Sequence, residues 1–243
     1  MCGRFVAASD AEGLMRFFMV DERRGEEVPP SWNVAPTDPV LAVAVHEDRR
    51  MLVTFRWGLV PFWAKDRKSA SRHINARAET VAEKPAFAES FRRRRCLIPA
   101  DGFYEWQRHP DGSRTPYFIH RTDGAPMAFA GLWASWRDPD RDGARLLTCT
   151  IITTQAGDGI ADLHPRTPVV LPQAAWDDWL DRDTDPAVVR HVLVAPDPEL
   201  ITWRRVGVEV NNVRNNHAGL LAPVTAVRAV KAQPPEDPAE TSL

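Results

Sequence analysis

Cysteine is scarce in this chain of 243 residues, which holds only Cys2, Cys96 and Cys149. Their number is odd and no CxxC pair occurs, so the sequence offers neither a disulfide framework nor a cysteine zinc site. An apolar run of about 18 residues or more is also absent, as is a basic start followed by an apolar segment. We therefore expect no membrane span, no signal peptide and a reducing, cytoplasmic location.

Lysine is rare as well, with four lysines against 27 arginines. Arginine binds phosphate through a planar fork but supplies no amine nucleophile at neutral pH. Carbonyl chemistry through an amine therefore has few candidates, and one of them is the α-amino group of the chain. The net charge of −2 argues against coating of nucleic acid by bulk electrostatics, although it allows a local basic groove.

Three further patterns are missing: an internal repeat with a period of about 20–50 residues, a phosphate-cradling glycine loop and a cluster of metal-ligating side chains. The first absence excludes solenoids and propellers. The other two predict a protein that needs no metal and no cofactor.

Short apolar segments bounded by turns dominate the chain, and its 21 prolines supply many of the turns. Strands are predicted at 40–46, 51–60, 96–107, 116–121, 127–136, 146–154, 168–171 and 201–210. Helices are predicted after a capping box of Ser9 and Glu12 and at 86–94 and 173–182. The charged and proline-rich segment 22–39 is expected to be a loop.

These strands outnumber the helices and do not alternate with them as βαβ units would. We therefore predict an α+β fold, with a single domain that has a β-rich, barrel-like core of mixed or antiparallel sheet and flanking helices. This domain is expected to span residues 1–231, followed by a disordered polar tail at 232–243.

Cys2 directly follows the initiator methionine. Methionine aminopeptidases accept a small second side chain, so we expect the mature chain to begin with Cys2. A terminal cysteine forms a Schiff base with an aldehyde through its amine, and its thiol then closes a thiazolidine ring. With ordinary pKa values of about 7.7–8.0 for the amine and about 8.5 for the thiol, both reactive forms are expected near neutrality. The alternative is a buried and inert thiol.

Two side chains suit proton transfer beside such a nucleophile. Glu105 lies in the apolar stretch CLIPADGFYEW, where loss of hydration should raise its pKa. His164 lies in DLHPRTPVVL and titrates near neutrality. The alternatives are a structural ion pair for Glu105 and a solvated loop position for His164.

Other side chains suit the binding of a sugar or of a DNA strand. Asn75, Arg77 and Glu79 alternate in HINARAET, so an extended segment would point them to one side. Trp63 lies beside cations in RWGLVPFWAKD, a pattern that suits stacking on unpaired bases. A surface strand and core packing are the respective alternatives.

The chain resembles the SRAP family (SOS response-associated peptidase domain) in segments that occur in family order over about residues 1–216, namely MCGRF, WNVAPT, RWGLVPFWAKD, INARAET, RRCLIPADGFYEW, LHPRTPVVL and VNNVRN. Members of this family crosslink themselves to abasic DNA. The resemblance implies a sensor or shield of abasic sites in single-stranded DNA, including fork junctions. It also implies lyase and self-processing peptidase activity, and association with the nucleoid.

The same resemblance implies a role for individual residues. Cys2 would form the thiazolidine with the sugar aldehyde, Asn75 would position the sugar or the cysteine, and Glu105 and His164 would move protons. DNA contacts are implied for Arg4, Asn33, Pro36, Trp63 and Arg77.

Two alternatives also use Cys2 as a nucleophile: an N-terminal-nucleophile hydrolase such as a glutamine amidotransferase, and an autopeptidase. The amidotransferases begin MCGI and carry an Asn-Gly pair for the oxyanion hole. This chain has Arg4 instead and no Asn-Gly pair, which favours abasic-site chemistry.

Removal of the initiator is directly measurable. We expect the intact mass of the purified protein to be lower than that of the 243-residue chain by one methionine residue. A mass that retains Met1 would leave Cys2 without an α-amine and would exclude it as an amine nucleophile.

Overall fold

The computed structural model describes residues 2–139 and 142–224, and within them it has the following strands and helices. The strands are β1 Phe5–Ala7, β2 Glu22–Arg24, β3 Ser31–Val34, β4 Pro39–His46, β5 Arg49–Trp57, β6 Asn75–Arg77, β7 Arg95–Ala100, β8 Gly102–Arg108, β9 Arg114–Arg121, β10 Met127–Arg137, β11 Arg145–Gln155, β12 Arg166–Pro168 and β13 Ile201–Arg205. The helices are α1 Ala11–Phe17, α2 Ala88–Arg93, α3 Trp176–Leu180 and α4 Pro186–Arg190. The tail predicted at 232–243 lies outside the described residues.

Five strands, β4, β5, β7, β10 and β11, form a closed barrel. Four of its pairings are antiparallel, and the parallel pairing of β5 with β11 closes the ring where Trp57 meets Cys149. Strands β2, β6 and β12 extend the barrel by pairing with β5 or β11. The predicted α+β fold with a barrel-like core is confirmed.

The barrel strands are apolar on both faces because each face packs against a core. One core fills the barrel with side chains that alternate along each strand, among them Val40, Phe55, Trp57, Ile98, Phe129 and Cys149. The other lies outside the barrel, where Val43, Leu52, Leu97, Leu132 and Ile152 pack beneath the helices. This double burial explains why the sequence shows near-continuous apolar runs in these strands.

A second, antiparallel sheet has the order β13-β9-β8-β1-β3 and packs against the barrel. Its strand β1 pairs with β8 through Phe5 and Phe103 and with β3 through Phe5 and Val34. The Phe5 ring enters the barrel core, with its centroid 5.1 Å from that of Trp57 and 6.0 Å from that of Phe129. These contacts fix the position of the first residues of the chain.

Several boundaries differ from the sequence-based expectation. The segment 22–39 is not only a loop, because it contains β2 and β3, whose backbones pair with β5 and β1. The predicted strand 96–107 turns at Asp101, so that β7 belongs to the barrel and β8 to the second sheet. The predicted strand 201–210 ends at Arg205 and continues as a short 3-10 helix.

The predicted capping box is wrong. Asp10 caps α1, since its carboxylate accepts a hydrogen bond from the backbone N–H of Gly13 at 2.7 Å. The Ser9 hydroxyl instead donates to the carboxylate of Asp101, which also accepts from the backbone N–H of Ala8 at 2.6 Å. The Asp101 turn therefore holds the end of β1 in place.

A substitution of Gly131 would test how tightly the barrel interior is packed. A Cβ atom at this position on β10 would lie 2.8 Å from Sγ of Cys96 and 2.9 Å from Cδ1 of Ile98. We expect Gly131→Ala to lower the free energy of unfolding by about 1–3 kcal/mol, because an added methyl group must displace packed neighbours. Gly207→Ala is the control, because an added Cβ there has nothing within 4 Å. Urea denaturation compares the two, and equal stability would contradict a filled interior.

Candidate functional site

Cys2 is fully buried, and two contacts fix its position. Its carbonyl accepts a hydrogen bond from Nδ2 of Asn75 at 2.7 Å, and its Sγ lies 4.0 Å from the carbonyl oxygen of Arg4. Burial raises the pKa of the Cys2 thiol far above its ordinary value, and the negative charge of Glu105 contributes a smaller rise. This shift disfavours the thiolate in the folded chain and so contradicts the expectation that the thiolate is available near neutrality.

Asn75 reaches Cys2 because β6 is held in register beside the barrel. Its backbone pairs with Ile151 of β11, and the ring Nε1 of Trp57 donates to the carbonyl of Ile74 at 2.8 Å. Among the described residues, Oδ1 of Asn75 is buried and has no hydrogen-bond partner. The amide therefore binds Cys2 through its nitrogen and keeps an acceptor at the site.

Glu105 lies on β8 and is 3% exposed. Burial raises its pKa to about 7, which confirms the shift expected from the apolar stretch around it. A carboxyl group with this pKa changes its protonation state near neutral pH, as a proton shuttle requires. Its charge also reaches Cys2, since it contributes to the raised pKa of the thiol.

His164 lies beside Glu105, with 3.8 Å between its Nδ1 and Oε1 of the carboxylate. The backbone of Arg166 offers Nδ1 an N–H donor at 3.0 Å and a carbonyl acceptor at 3.1 Å. A neutral ring accepts from the first and a protonated ring donates to the second, so both forms have a partner. Burial lowers the pKa of His164, which favours the neutral ring.

Asn33 and Arg4 form a second cluster near Cys2. The Asn33 side chain is buried, and its Nδ2 donates to the carbonyls of Val210, Asn212 and Asn215 at 2.9–3.3 Å. Its Oδ1 accepts from Nη1 of Arg4 at 2.8 Å. The amide of Asn33 is thus used within the chain, and the geometry favours an indirect role through Arg4 in any DNA contact.

The remaining sequence-predicted residues lie on separate elements. Trp63 is 55% exposed in the segment between β5 and β6, whereas Trp57, in the same motif, is fully buried. Arg77 is exposed at the end of β6, and Pro36 is half-buried in the turn between β3 and β4. Their contact with DNA stays a prediction.

Sequence reasoning missed one ion pair that joins two parts of the site. Glu79 follows β6, and its carboxylate accepts from Nη1 and Nη2 of Arg166, the latter at 3.1 Å. Nη2 of Arg166 also donates to the carbonyl of Thr153 on β11 at 2.6 Å. The pair therefore ties the Asn75 strand to the His164 segment across β11. The alternation of Asn75, Arg77 and Glu79 was the only hint of it in the sequence.

Within residues 2–139 and 142–224, no group of three or more His, Cys, Asp or Glu side chains is arranged to hold a metal ion. None of the helices in this part of the chain is long and apolar enough to cross a membrane. All three cysteines are buried and unbridged.

The fold and the site define a class of single-domain α+β proteins built around a cysteine at the second position of the chain. The chain belongs to the SOS response associated peptidase (SRAP) family, whose sequence signature matches residues 1–213.

Several relatives carry a common name. The abasic site processing protein YoqW of Bacillus subtilis is 39% identical over 223 residues, which cover 91% of this chain and 99% of the relative. The abasic site processing protein HMCES of Pongo abelii is 32% identical over 93% of this chain and 77% of the relative. A crystal structure of a protein from Bacteroides thetaiotaomicron superposes with a TM-score of 0.81 at 22% identity, over 92% of this chain and all of that one, and shows the same fold.

The raised pKa of Glu105 predicts how stability depends on pH. The folded chain binds the Glu105 proton more tightly than the unfolded chain, in which the pKa is 4.5. The stabilisation from this proton is full below pH 4.5 and is lost as the pH rises through about 7. Glu105→Gln should therefore gain stability over the wild type from about pH 5 to about pH 8, by at most about 3 kcal/mol.

Urea denaturation at the two pH values measures this difference. Glu12→Gln is the control, because the Glu12 side chain is 87% exposed. A stability difference between Glu105→Gln and the wild type that does not change with pH would show that Glu105 is an ordinary carboxylate.

Proposed function

We propose that this chain processes abasic sites in DNA by crosslinking to the lesion in single-stranded DNA through Cys2, and so senses and shields it. The observation that carries this proposal is the cluster of Asn75, Glu105 and His164 around a buried Cys2. The name abasic site processing protein, shared by relatives that align over more than nine-tenths of this chain, supports it.

The chemistry begins once Met1 is removed. The Cys2 amine adds to the C1′ aldehyde of the ring-opened sugar, and loss of one water gives an imine. The thiol then adds to the imine carbon, its proton passes to the nitrogen, and a thiazolidine closes. The raised pKa of the buried thiol supports this order, because it leaves the first attack to the amine and keeps on the sulfur the proton that later passes to the nitrogen.

Each neighbour has a role that its geometry supports. Asn75 holds the Cys2 carbonyl through Nδ2, and its unpartnered Oδ1 accepts a hydrogen bond from the amine or from a sugar hydroxyl. Glu105, with a pKa of about 7, takes the proton from the amine and returns it to the departing hydroxyl. His164 assists the opening of the sugar ring.

The DNA strand passes over the residues around this centre. Arg4 and Arg77 contact phosphates, with Arg4 held in place by Asn33. Exposed Trp63 stacks on an unpaired base beside Pro36. Fork junctions, where single-stranded DNA is exposed, are the expected site of action, which implies association with the nucleoid.

Lyase activity would follow from the imine intermediate, and self-processing would involve Cys2. The imine acidifies the C2′ proton, so loss of that proton expels the 3′ phosphate and cleaves the DNA strand. Closure of the thiazolidine removes the imine and suppresses this branch. Self-processing would consist of cleavage of the Met1–Cys2 bond, and protein produced without methionine aminopeptidase tests it by its intact mass.

Substitutions of Cys2 test the crosslink. Mixed with an abasic single-stranded oligonucleotide, the wild type should give a heat-stable adduct, and Cys2→Ala should lose at least nine-tenths of it. Cys2→Ser, like Cys2→Ala, keeps the α-amine but lacks the thiol, so the adduct of either variant should survive heating only after borohydride reduction of the imine. Denaturing gels and intact mass measure both.

Cys149→Ala is the matched control, because it removes another buried thiol of the same core. An equal adduct yield from Cys2→Ala would contradict the mechanism. Turnover of glutamine without DNA would instead indicate an amidotransferase.

A further inference from the structure

His164 belongs to a compact loop formed by residues 156–165, called the His164 loop below. Its two ends meet where the backbone N–H of Ala156 donates to the carbonyl of Pro165 at 3.0 Å. Within the loop, the carbonyl of Ile160 accepts a hydrogen bond from the backbone N–H of His164 at 3.0 Å. The imidazole is thus carried by a closed turn, and its position depends on where the whole turn rests.

The His164 loop rests on one face of the second sheet. Its side chains Ile160 and Leu163 are buried in the same core cluster as Phe103 of β8 and Ile119 of β9. Phe103 and Glu105 are two residues apart on β8 and therefore point to the same side of the sheet. The apolar side chains of the loop thus lie on the face that carries Glu105.

Two polar side chains of this face bind the backbone of the loop. Nε1 of Trp203 on β13 donates to the carbonyl of Gly159 at 3.0 Å, and Nε2 of Gln107 on β8 donates to the carbonyl of Asp162 at 3.3 Å. Trp203 shares the face because it lies directly across from Ile119 in the pairing of β13 with β9. Since apolar packing has no directional preference and hydrogen bonds do, these two bonds set where the loop lies along the sheet.

Tyr117 connects the two side chains that hold the loop. Its hydroxyl donates to Oε1 of Gln107 at 3.3 Å, and the centre of its ring lies 5.2 Å from that of Trp203 in an edge-to-face arrangement. Tyr117 also lies directly across the β8–β9 hairpin from Glu105. The side chains that bind the loop are therefore in contact with one another beside the carboxylate that His164 meets.

The spacing of the contacts is the same on the strand and on the loop. Glu105 and Gln107 are two residues apart on β8, and they meet Nδ1 of His164 at 3.8 Å and the carbonyl of Asp162 at 3.3 Å. His164 and Asp162 are themselves two residues apart. A shift of the loop along β8 would therefore change the distance between the imidazole and Glu105 together with the bond to Gln107.

We propose that Trp203 and Gln107 are positioning residues, which hold the His164 imidazole beside Glu105 and the sugar bound at Cys2. The proposal rests on the proposed function, because it takes proton transfer by His164 as the step that this position serves. Both side chains act through backbone carbonyls of the His164 loop. Loss of either bond should therefore slow the chemical step and leave the affinity for DNA unchanged.

A substitution of Trp203 separates its hydrogen bond from its packing. Trp203→Phe removes the Nε1–H donor and keeps an aromatic ring beside Tyr117. Trp176→Phe is the matched control, because Nε1 of Trp176 also donates to a backbone carbonyl, that of Leu171 at 3.2 Å, in the core beneath the helices. Single-turnover crosslinking to an abasic oligonucleotide over a range of protein concentrations gives the maximal rate and the half-saturating concentration.

We expect Trp203→Phe to lower the maximal rate about five- to tenfold at an unchanged half-saturating concentration, because a displaced imidazole impairs the chemical step alone. In a His164→Ala background the same substitution should have no further effect, since the position of the loop matters only while the imidazole is present. Gln107→Met keeps the length of the side chain but lacks the amide, and it should behave as Trp203→Phe does. Trp176→Phe should match the wild type in both quantities.

An unchanged maximal rate for Trp203→Phe, or an equal loss in the His164→Ala background, would overturn the proposal. Hydrogen exchange followed by mass spectrometry tests the positioning without the reaction: Trp203→Phe should accelerate exchange in residues 156–165, and Trp176→Phe should not. Failure of the proposed function looks different, because the wild type would then form no adduct. In that case accelerated exchange would still support the positioning of the loop, and unchanged exchange would overturn it as well.

Discussion

The site depends on the insertion of Phe5 into the barrel. Residues 2–4 have no regular structure of their own, and the pairing of Phe5 with Phe103 and Val34 and its packing on Trp57 anchor them to the core. The hydrogen bonds of Cys2 with Asn75 and of Arg4 with Asn33 add to this anchor. A nucleophile at a chain terminus is ordinarily the most mobile part of a protein. Here the terminus is joined to the core three residues later, so Cys2 is buried and oriented without a disulfide or a metal among the described residues.

Strand β11 holds the partners of Cys2 at the correct spacing. It pairs with β6, which carries Asn75, and with β12, which follows His164. The ion pair of Glu79 with Arg166 also joins these two flanking segments over Thr153. The distance between the Asn75 amide and the His164 imidazole is therefore fixed both by strand pairing and by this ion pair. Side chains that act on one atom need such support, because an error of about 1 Å in position lowers a rate severely.

Most of the barrel could be predicted from the sequence, and much of the surrounding structure could not. The doubly buried barrel strands are recognisable as apolar runs. In contrast, β2 consists of three charged residues and β3 has only four residues with no continuous apolar run, so their pairing with β5 and β1 is not apparent from the sequence. In the site, the raised pKa of Glu105 could be predicted from its apolar neighbours in the sequence. The role of Asn33 did not, since it depends on hydrogen bonds to residues 177–182 positions further along the chain, which no local pattern encodes.

Burial explains why the site can be selective as well as reactive. Since burial raises the pKa of the Cys2 thiol, little thiolate is present to react with oxidants or other electrophiles. In the proposed mechanism, an aldehyde that reaches the amine forms an imine, and transfer of the thiol proton to the imine nitrogen gives the thiolate that closes the ring. Glu105 near its pKa and a neutral His164 can each give or take one proton during this sequence. Under the proposed mechanism, the apolar surroundings thus make thiol reactivity conditional on a carbonyl already bound to the same residue.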